Sequence, residues 1–310
     1  MSASTPIPVG NAPCSWGVLE FEETVALADP GRVLDEMATA GYAGTELGDW
    51  GFLPTEPERL QGELRARSLA MLGAFVPVAF ADRAAHAEGR ARALRVATLL
   101  AAVAERPLIV LADDNGRDPV RTRDAGRIRD DQGLDAVGLG TFAAGVEETA
   151  RAVLEQTGVR TVFHHHAAGF VETPQEVERL MGLTDERLVG LCLDTGHFVY
   201  GGGDPVDAYR RYRSRVWHLH FKDCAAAVAE RARQTALGYF EAVRAGVFCE
   251  LGRGAVDFAA LVGELQRAGY PGWIVVEQDV LPGMGTPLES AVHSRAYLRG
   301  LGLSSPGRSE

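Results

Sequence analysis

The sequence predicts an α/β fold, a (β/α)8 barrel, on three observations. Eight short apolar runs alternate with longer helix-like stretches, the pattern of a parallel sheet joined by crossover helices. Eight such units fit the 310 residues at the length a closed barrel needs. The first run, in GNAPCSWG, lacks the GxGxxG spacing that an open doubly wound sheet would carry there. There is no internal repeat and no low-complexity linker, so one barrel domain over 1–310 is the simplest organisation.

The strands are expected within 8–16, 44–48, 69–78, 107–114, 160–166, 189–196, 215–223 and 272–279. Helices are expected over 30–40, ended by Gly41, over the Ala- and Arg-rich 82–105, ended by Pro107, and over 141–157, ended by Gly158. TPQEVERLMG opens a further helix, with Thr173 as N-cap and Pro174 at the first position. After the fourth strand comes a long charged segment, DDNGRDPVRTRDAGRIRDD. Its mixed signs favour a solvated surface excursion over a lid on the barrel mouth.

Composition narrows the function. A net charge of −11 repels phosphate backbones and argues against a nucleic-acid partner. MSASTPIPVGNAPCSW has neither the basic region nor the apolar run of a secretory leader, and no apolar stretch reaches membrane-spanning length. A cytoplasmic protein with no membrane contact is the expectation. Cys14, Cys192, Cys224 and Cys249 form no CxxC pair, which fits reduced thiols better than a zinc cluster.

The polar residues gather at strand ends. The fifth strand closes in HHH, the sixth in DTGH, the seventh in HLHFKD and the eighth in VVEQD, and these ends hold six of the eight histidines. A barrel collects such ends on one face, where catalytic groups sit. Alternation puts His164 and His166 on one side of their strand and His165 on the other, and pairs His218 with His220. Within each pair the later residue lies nearer the mouth. His166, Asp194, His220 and Glu277 therefore surround one point. Two imidazoles and two carboxylates suit a divalent ion of borderline hardness. A hydrogen-bonded polar core is the competing explanation for any one of them; four successive strands make it weak for all. His165 is expected to face the helix layer or a neighbouring loop. Lys222 is the only lysine beside 30 arginines, and it lies two residues past His220. An ammonium can move a proton where a guanidinium cannot.

The combination FHHHAAGFVET, CLDTGHFVYGGGDP, VWHLHFKD and YPGWIVVEQD, with NAPCSWGVLEF and GYAGTELGDWGFLP upstream, resembles the xylose-isomerase-like TIM barrel superfamily of sugar isomerases and epimerases. Within it, the likeness is greatest to the inosose (2-keto-myo-inositol) dehydratases of inositol catabolism. It runs from about residue 9 to about residue 300. The resemblance implies one divalent metal, Mn2+ or Co2+ with Zn2+ or Fe2+ as alternatives, at Asp194, His220, Glu277 and, in place of the epimerases' glutamate, His166. It implies roles for Glu172, six residues after His166, and His197, three after Asp194. The epimerases' arginine six residues past the strand-seven histidine falls on Ala226, so substrate binding must differ. LGRGAVDF resembles an LGxG turn of the family, with Arg253 where glutamate is common.

Dehydrating a 2-keto-cyclitol removes a proton α to a carbonyl and expels a β-hydroxyl, which needs a base and an acid. Glu277 or Glu172 is the candidate base, and Lys222 or His197 the candidate acid. Trp16, Glu46 and His164 are candidate contacts to the polyol or keto-sugar substrate. A metal-dependent ketose or keto-sugar isomerase or epimerase is the alternative. An abasic-site endonuclease conflicts with the charge, and a non-catalytic polyol binder conflicts with the complete ligand set. Assembly as a homo-oligomer is left open.

Overall fold

The computed structural model describes residues 6–17, 29–280 and 285–303. Residues 1–5 of the segment read for a leader, and 18–21 of NAPCSWGVLEF, lie outside them. The strands are β1 (Val9–Asn11), β2 (Gly44–Thr45), β3 (Ala70–Met71), β4 (Gly73–Val78), β5 (Leu108–Asp113), β6 (Arg160–His164), β7 (Val189–Asp194), β8 (Val216–Phe221), β9 (Asp223–Cys224), β10 (Phe248–Cys249) and β11 (Ile274–Val276). Nine form one sheet in the order β3-β2-β1-β11-β8-β7-β6-β5-β4, and β9 and β10 form a separate antiparallel ribbon.

The outer strands of that order, β3 and β4, are consecutive pieces of the predicted run 69–78. Leu72 joins them: its N–H donates to Thr45 O at 2.9 Å and its carbonyl accepts from Leu108 N at 3.0 Å. The run is thus bonded on both flanks, and eight staves close into a barrel whose pairings are all parallel. Closure removes the open edges that a flat parallel sheet would have to cover.

Alternation along the staves separates two layers of packing. Ile109, Leu111, Phe163, Leu191, Leu193, Leu219 and Ile274 join one cluster with helix residues such as Val96, Leu100, Phe142 and Val146. Val110, Val162 and Cys192 pack in a smaller cluster of their own, on the alternate residues of β5, β6 and β7. Full burial of each large aliphatic side chain is worth ~1.5–3 kcal/mol, which favours this division over any one-residue slip.

The helices begin where side chains cap them. Asp29 accepts from Arg32 N ahead of Pro30–Ala40, and Gly41 ends it at φ 91°. The third predicted helix is longer than expected, Ala136–Thr157, because Asp135 accepts from Gly138 N and starts it earlier. Thr173 forms a reciprocal capping box with Glu176 ahead of Pro174–Leu183. Among the described residues, no helix is long and apolar enough to cross a membrane.

The charged segment after β5 differs from a solvated excursion. It carries a short helix, Pro119–Asp124, and Arg121 within it is wholly buried. Arg121 grips Glu176 with two bonds, at 2.7 and 2.8 Å, and donates to Gly169 O at 2.7 Å. A guanidinium matches a carboxylate in this fork geometry, and the bidentate pair offsets its own desolvation. The segment is thereby fastened to the loop after β6.

Candidate active site

The C-terminal ends of β6, β7, β8 and β11 supply the inward polar groups. Register places Asp194 beside His220 and His220 beside Val275, one residue pair short of Glu277. Ligand atoms of Asp194, His220 and Glu277 all lie within 4.8 Å of one another. Asp194 divides its carboxylate between two tasks. Its Oδ1 accepts from His197 N at 2.8 Å and caps helix Thr195–Tyr200, while its Oδ2 is buried with no hydrogen-bond partner and lies 3.5 Å from His164 Nε2. His220 Nε2 lies 3.0 Å from Glu46 Oε1, and its Nδ1 faces Glu277 Oε1 at 3.1 Å without a well-aligned hydrogen bond. Orphaned buried atoms of this kind are rare in folded proteins. An imidazole nitrogen and carboxylate oxygens that converge without satisfying one another fit a divalent cation.

Lys222 extends from the end of β8 over Gly196 of the DTGH turn. A Cβ on Gly196 would come within 2.7 Å of Lys222 Cγ, so the close approach of this stem requires the glycine. Nζ lies 3.3 Å from Glu277 Oε2 and 3.4 Å from Asp279 Oδ1, and 4.9 Å from the centre of the Phe248 ring. Burial alone would lower the ammonium's pKa, but Asp279 and Glu277 hold it well above the ordinary lysine value. Without an ion in place His220 follows the same logic: burial lowers it, and Cys192, Glu277 and Glu46 carry it well above the usual imidazole range, so an ion held at this nitrogen would take the place of a proton. His164 is pushed down to about 3 by burial, and burial also takes His166 and His197 well below normal.

A cavity opens above this group. Glu46, His164, His166, Lys222 and Glu277 line it, together with Asp279, Asn115, Tyr239, Cys14 and Phe75. The other sequence candidates stand apart from the converging atoms of Asp194, His220 and Glu277. His166 reaches the cavity but does not join the converging ligand atoms: its Nδ1 pairs with Ala167 O at 2.6 Å and its ring lies 3.8 Å from that of His197. His197 sits behind it, wedged against Phe248 at 4.7 Å, and is not a lining residue. Glu172 is also behind the wall. It accepts from Gly126 N at 2.6 Å and Ala168 N at 2.8 Å, and burial raises its carboxyl to about 7. Trp16 is a packed indole whose N–H donates to Glu36 at 2.7 Å, outside the cavity. His165 faces away from the barrel axis, where its Nε2 accepts from Asp194 N and its ring meets Phe198.

Asp279, Tyr239 and Asn115 are among the lining residues that escaped the sequence reading. Asp279 lies two residues past Glu277, so the alternation that nominated Glu277 would have found it too. Tyr239 comes from helix Tyr239–Arg244 and Asn115 from the charged segment, and no local pattern links either to the mouth. The ribbon β9-β10 is held by Asp223, whose carboxylate accepts from Cys224, Gly252, Gly254 and Val256 N at 2.8–3.1 Å. That cage ties the aspartate of HFKD to the LGRG turn.

A closed parallel barrel whose strand ends bring carboxylates, histidines and a lysine to one mouth has the form of a barrel enzyme's active site, and comparison places the chain in a family of such barrels. Residues 34–301 match the xylose isomerase-like TIM barrel family, and the chain belongs to it. An inosose dehydratase of Lacticaseibacillus casei is 31% identical over 292 residues, covering 94% of this chain and 96% of the relative. A rhizopine catabolism protein of Rhizobium meliloti is 34% identical, covering 92% of this chain and 85% of its own length. Among solved structures, the 3-keto-D-glucoside 4-epimerase of E. coli superposes with a TM-score of 0.68 at 18% identity, covering 95% of this chain and 99% of that one.

Proposed function

We propose that the protein is a metal-dependent hydro-lyase that dehydrates a 2-keto-cyclitol such as 2-keto-myo-inositol. The observation that carries the proposal is the end-to-end match to inosose dehydratases. The converging atoms of Asp194, His220 and Glu277 support the metal. The fifth stave would complete the set with one of two histidines: spacing favours His166, and the 3.5 Å approach to Asp194 favours His164. Mn2+ or Co2+ suits this donor set, and Zn2+ or Fe2+ is compatible with it. A bound divalent ion supplies a Lewis acid for the ketone oxygen.

The chain's own groups would do the rest. Removal of the α-proton needs a carboxylate that faces the cavity. Glu277 does, whereas Glu172 is held behind the wall by two backbone donors. Loss of the β-hydroxyl needs a proton donor, and Lys222 enters the cavity as an ammonium. Asp279 and Asn115, in the cavity wall, would orient hydroxyls of the ring.

Purified protein supplemented with Mn2+ or Co2+ should convert scyllo-inosose to a diketone that absorbs in the ultraviolet. A panel of free ketoses should be left unchanged. Epimerised ketose without loss of water would instead establish the isomerase or epimerase alternative, which the superposition on sugar epimerases keeps in play.

A further inference from the structure

His220 is a member of three separate groups of potential ligands. It pairs with Asp194 and Glu277, with Glu46 and His218, and with His164 and Cys192. One imidazole has two nitrogens and cannot serve all three. Something must choose which nitrogen faces the carboxylates at the mouth.

The geometry points to Glu46 as that selector, a positioning residue that fixes His220 with Nε2–H turned to itself and Nδ1 turned to the metal. This rests on the metal reading above. Glu46 follows β2, and its backbone is pinned by the bond from its N–H to Asn11 O at 3.1 Å. Two staves, β1 and β11, lie between β2 and β8 in the sheet, so the side chain reaches across the barrel interior. It is 2% exposed. A carboxylate so buried must be compensated, and its partners are two imidazoles: His218 Nε2 at 2.7 Å and His220 Nε2 at 3.0 Å, both on Oε1. An ionised carboxylate only accepts, so the imidazole nitrogen facing it must carry the proton. With the proton committed to Nε2, the lone pair left for a metal is on Nδ1, the nitrogen that lies 3.1 Å from Glu277. Carboxylates behind metal-bound histidines set tautomer and ring orientation in this way. His218 completes the brace, since it holds the same oxygen and keeps the carboxylate from swinging toward the cavity.

The test compares Co2+ affinity, by calorimetry and by the visible cobalt spectrum, in wild type, Glu46→Gln and Asp194→Asn. Glu46→Gln keeps the shape but removes the charge that two imidazoles share. The Co2+ dissociation constant should rise on the order of 10- to 100-fold with an altered spectrum. Unchanged metal affinity with a raised KM would overturn the proposal and make Glu46 a substrate contact. If Asp194→Asn also bound Co2+ normally, the metal reading itself would fall. Zinc-loaded wild type labelled with 15N-histidine needs no variant. His220 should retain its proton on Nε2 and show the metal-shifted signal at Nδ1, and the reverse pattern would overturn the assignment.

Discussion

Lys222 shares its ammonium between two carboxylates and an aromatic face, which suits a clamp as well as a donor. Lys222→Arg separates the two. If the lysine delivers the proton, the arginine variant should lose on the order of 10²-fold in turnover with metal binding intact. If it only clamps, the loss should appear in KM. Wild-type behaviour of both Lys222→Arg and Lys222→Met would remove Lys222 from the chemistry. Glu172 allows a pH test. Its folded pKa, about 7, lies above the ordinary 4.5, so the folded state keeps a proton that the unfolded chain has released. Stability is therefore lost as pH rises through that window, by on the order of 3 kcal/mol. Relative to Glu172→Gln, denaturant titrations of wild type should show that decline between pH 4.5 and 7. A constant difference would mean that the two backbone bonds keep the carboxylate ionised throughout. At this scale the convergence of Asp194, His220 and Glu277 was legible, because alternation and depth along a stave are local properties. The turn of the His166 ring was not, because it depends on the Ala167 carbonyl and on His197 from the helix after β7.

The helix Pro174–Leu183 shows both what an element reveals of itself and what it conceals. Its start was read from Thr173 as N-cap and Pro174 at the first position, and Glu176 closes a capping box on that start. Nothing in the sequence tied Glu176 to Arg121, which lies 55 residues away and is surrounded by charges of both signs. The solvated reading failed there because sequence neighbours, not spatial ones, decided it. Glu176 now has four tasks: it binds Arg121 through both oxygens and accepts from Glu172 N and Thr173 N. Glu176→Ala should therefore cost about 3–5 kcal/mol, since it leaves a buried guanidinium unpaired. Urea titration checks this. A loss under 1 kcal/mol would mean that solvent reaches Arg121. The variant should also expose the segment 113–131 to limited proteolysis, since Arg121 fastens it to the loop after β6.

At the scale of the molecule, a metal at the mouth would join β7, β8 and the segment after β11, three adjacent parts of the barrel wall. The site exists only when these are folded, so a bound ion stabilises by mass action. At 100 times Kd the gain is about 2.7 kcal/mol, or a rise of roughly 5 °C in Tm for a chain of this size. The surface complicates the measurement, because 42 acidic residues against 31 basic ones attract divalent ions loosely. Asp194→Asn separates the two effects. Asparagine caps a helix as well as aspartate does, so the bond from His197 N should survive and the fold with it. The variant removes one charge of the surplus but takes Oδ2 from the metal. Wild type should therefore gain the full shift with Mn2+ or Co2+, saturating at one ion per chain, and lose it to a chelator. Asp194→Asn should show only the small, unsaturating drift of surface binding. Equal shifts in the two proteins would place the stabilising ion on the surface and leave the converging atoms of Asp194, His220 and Glu277 as a polar core.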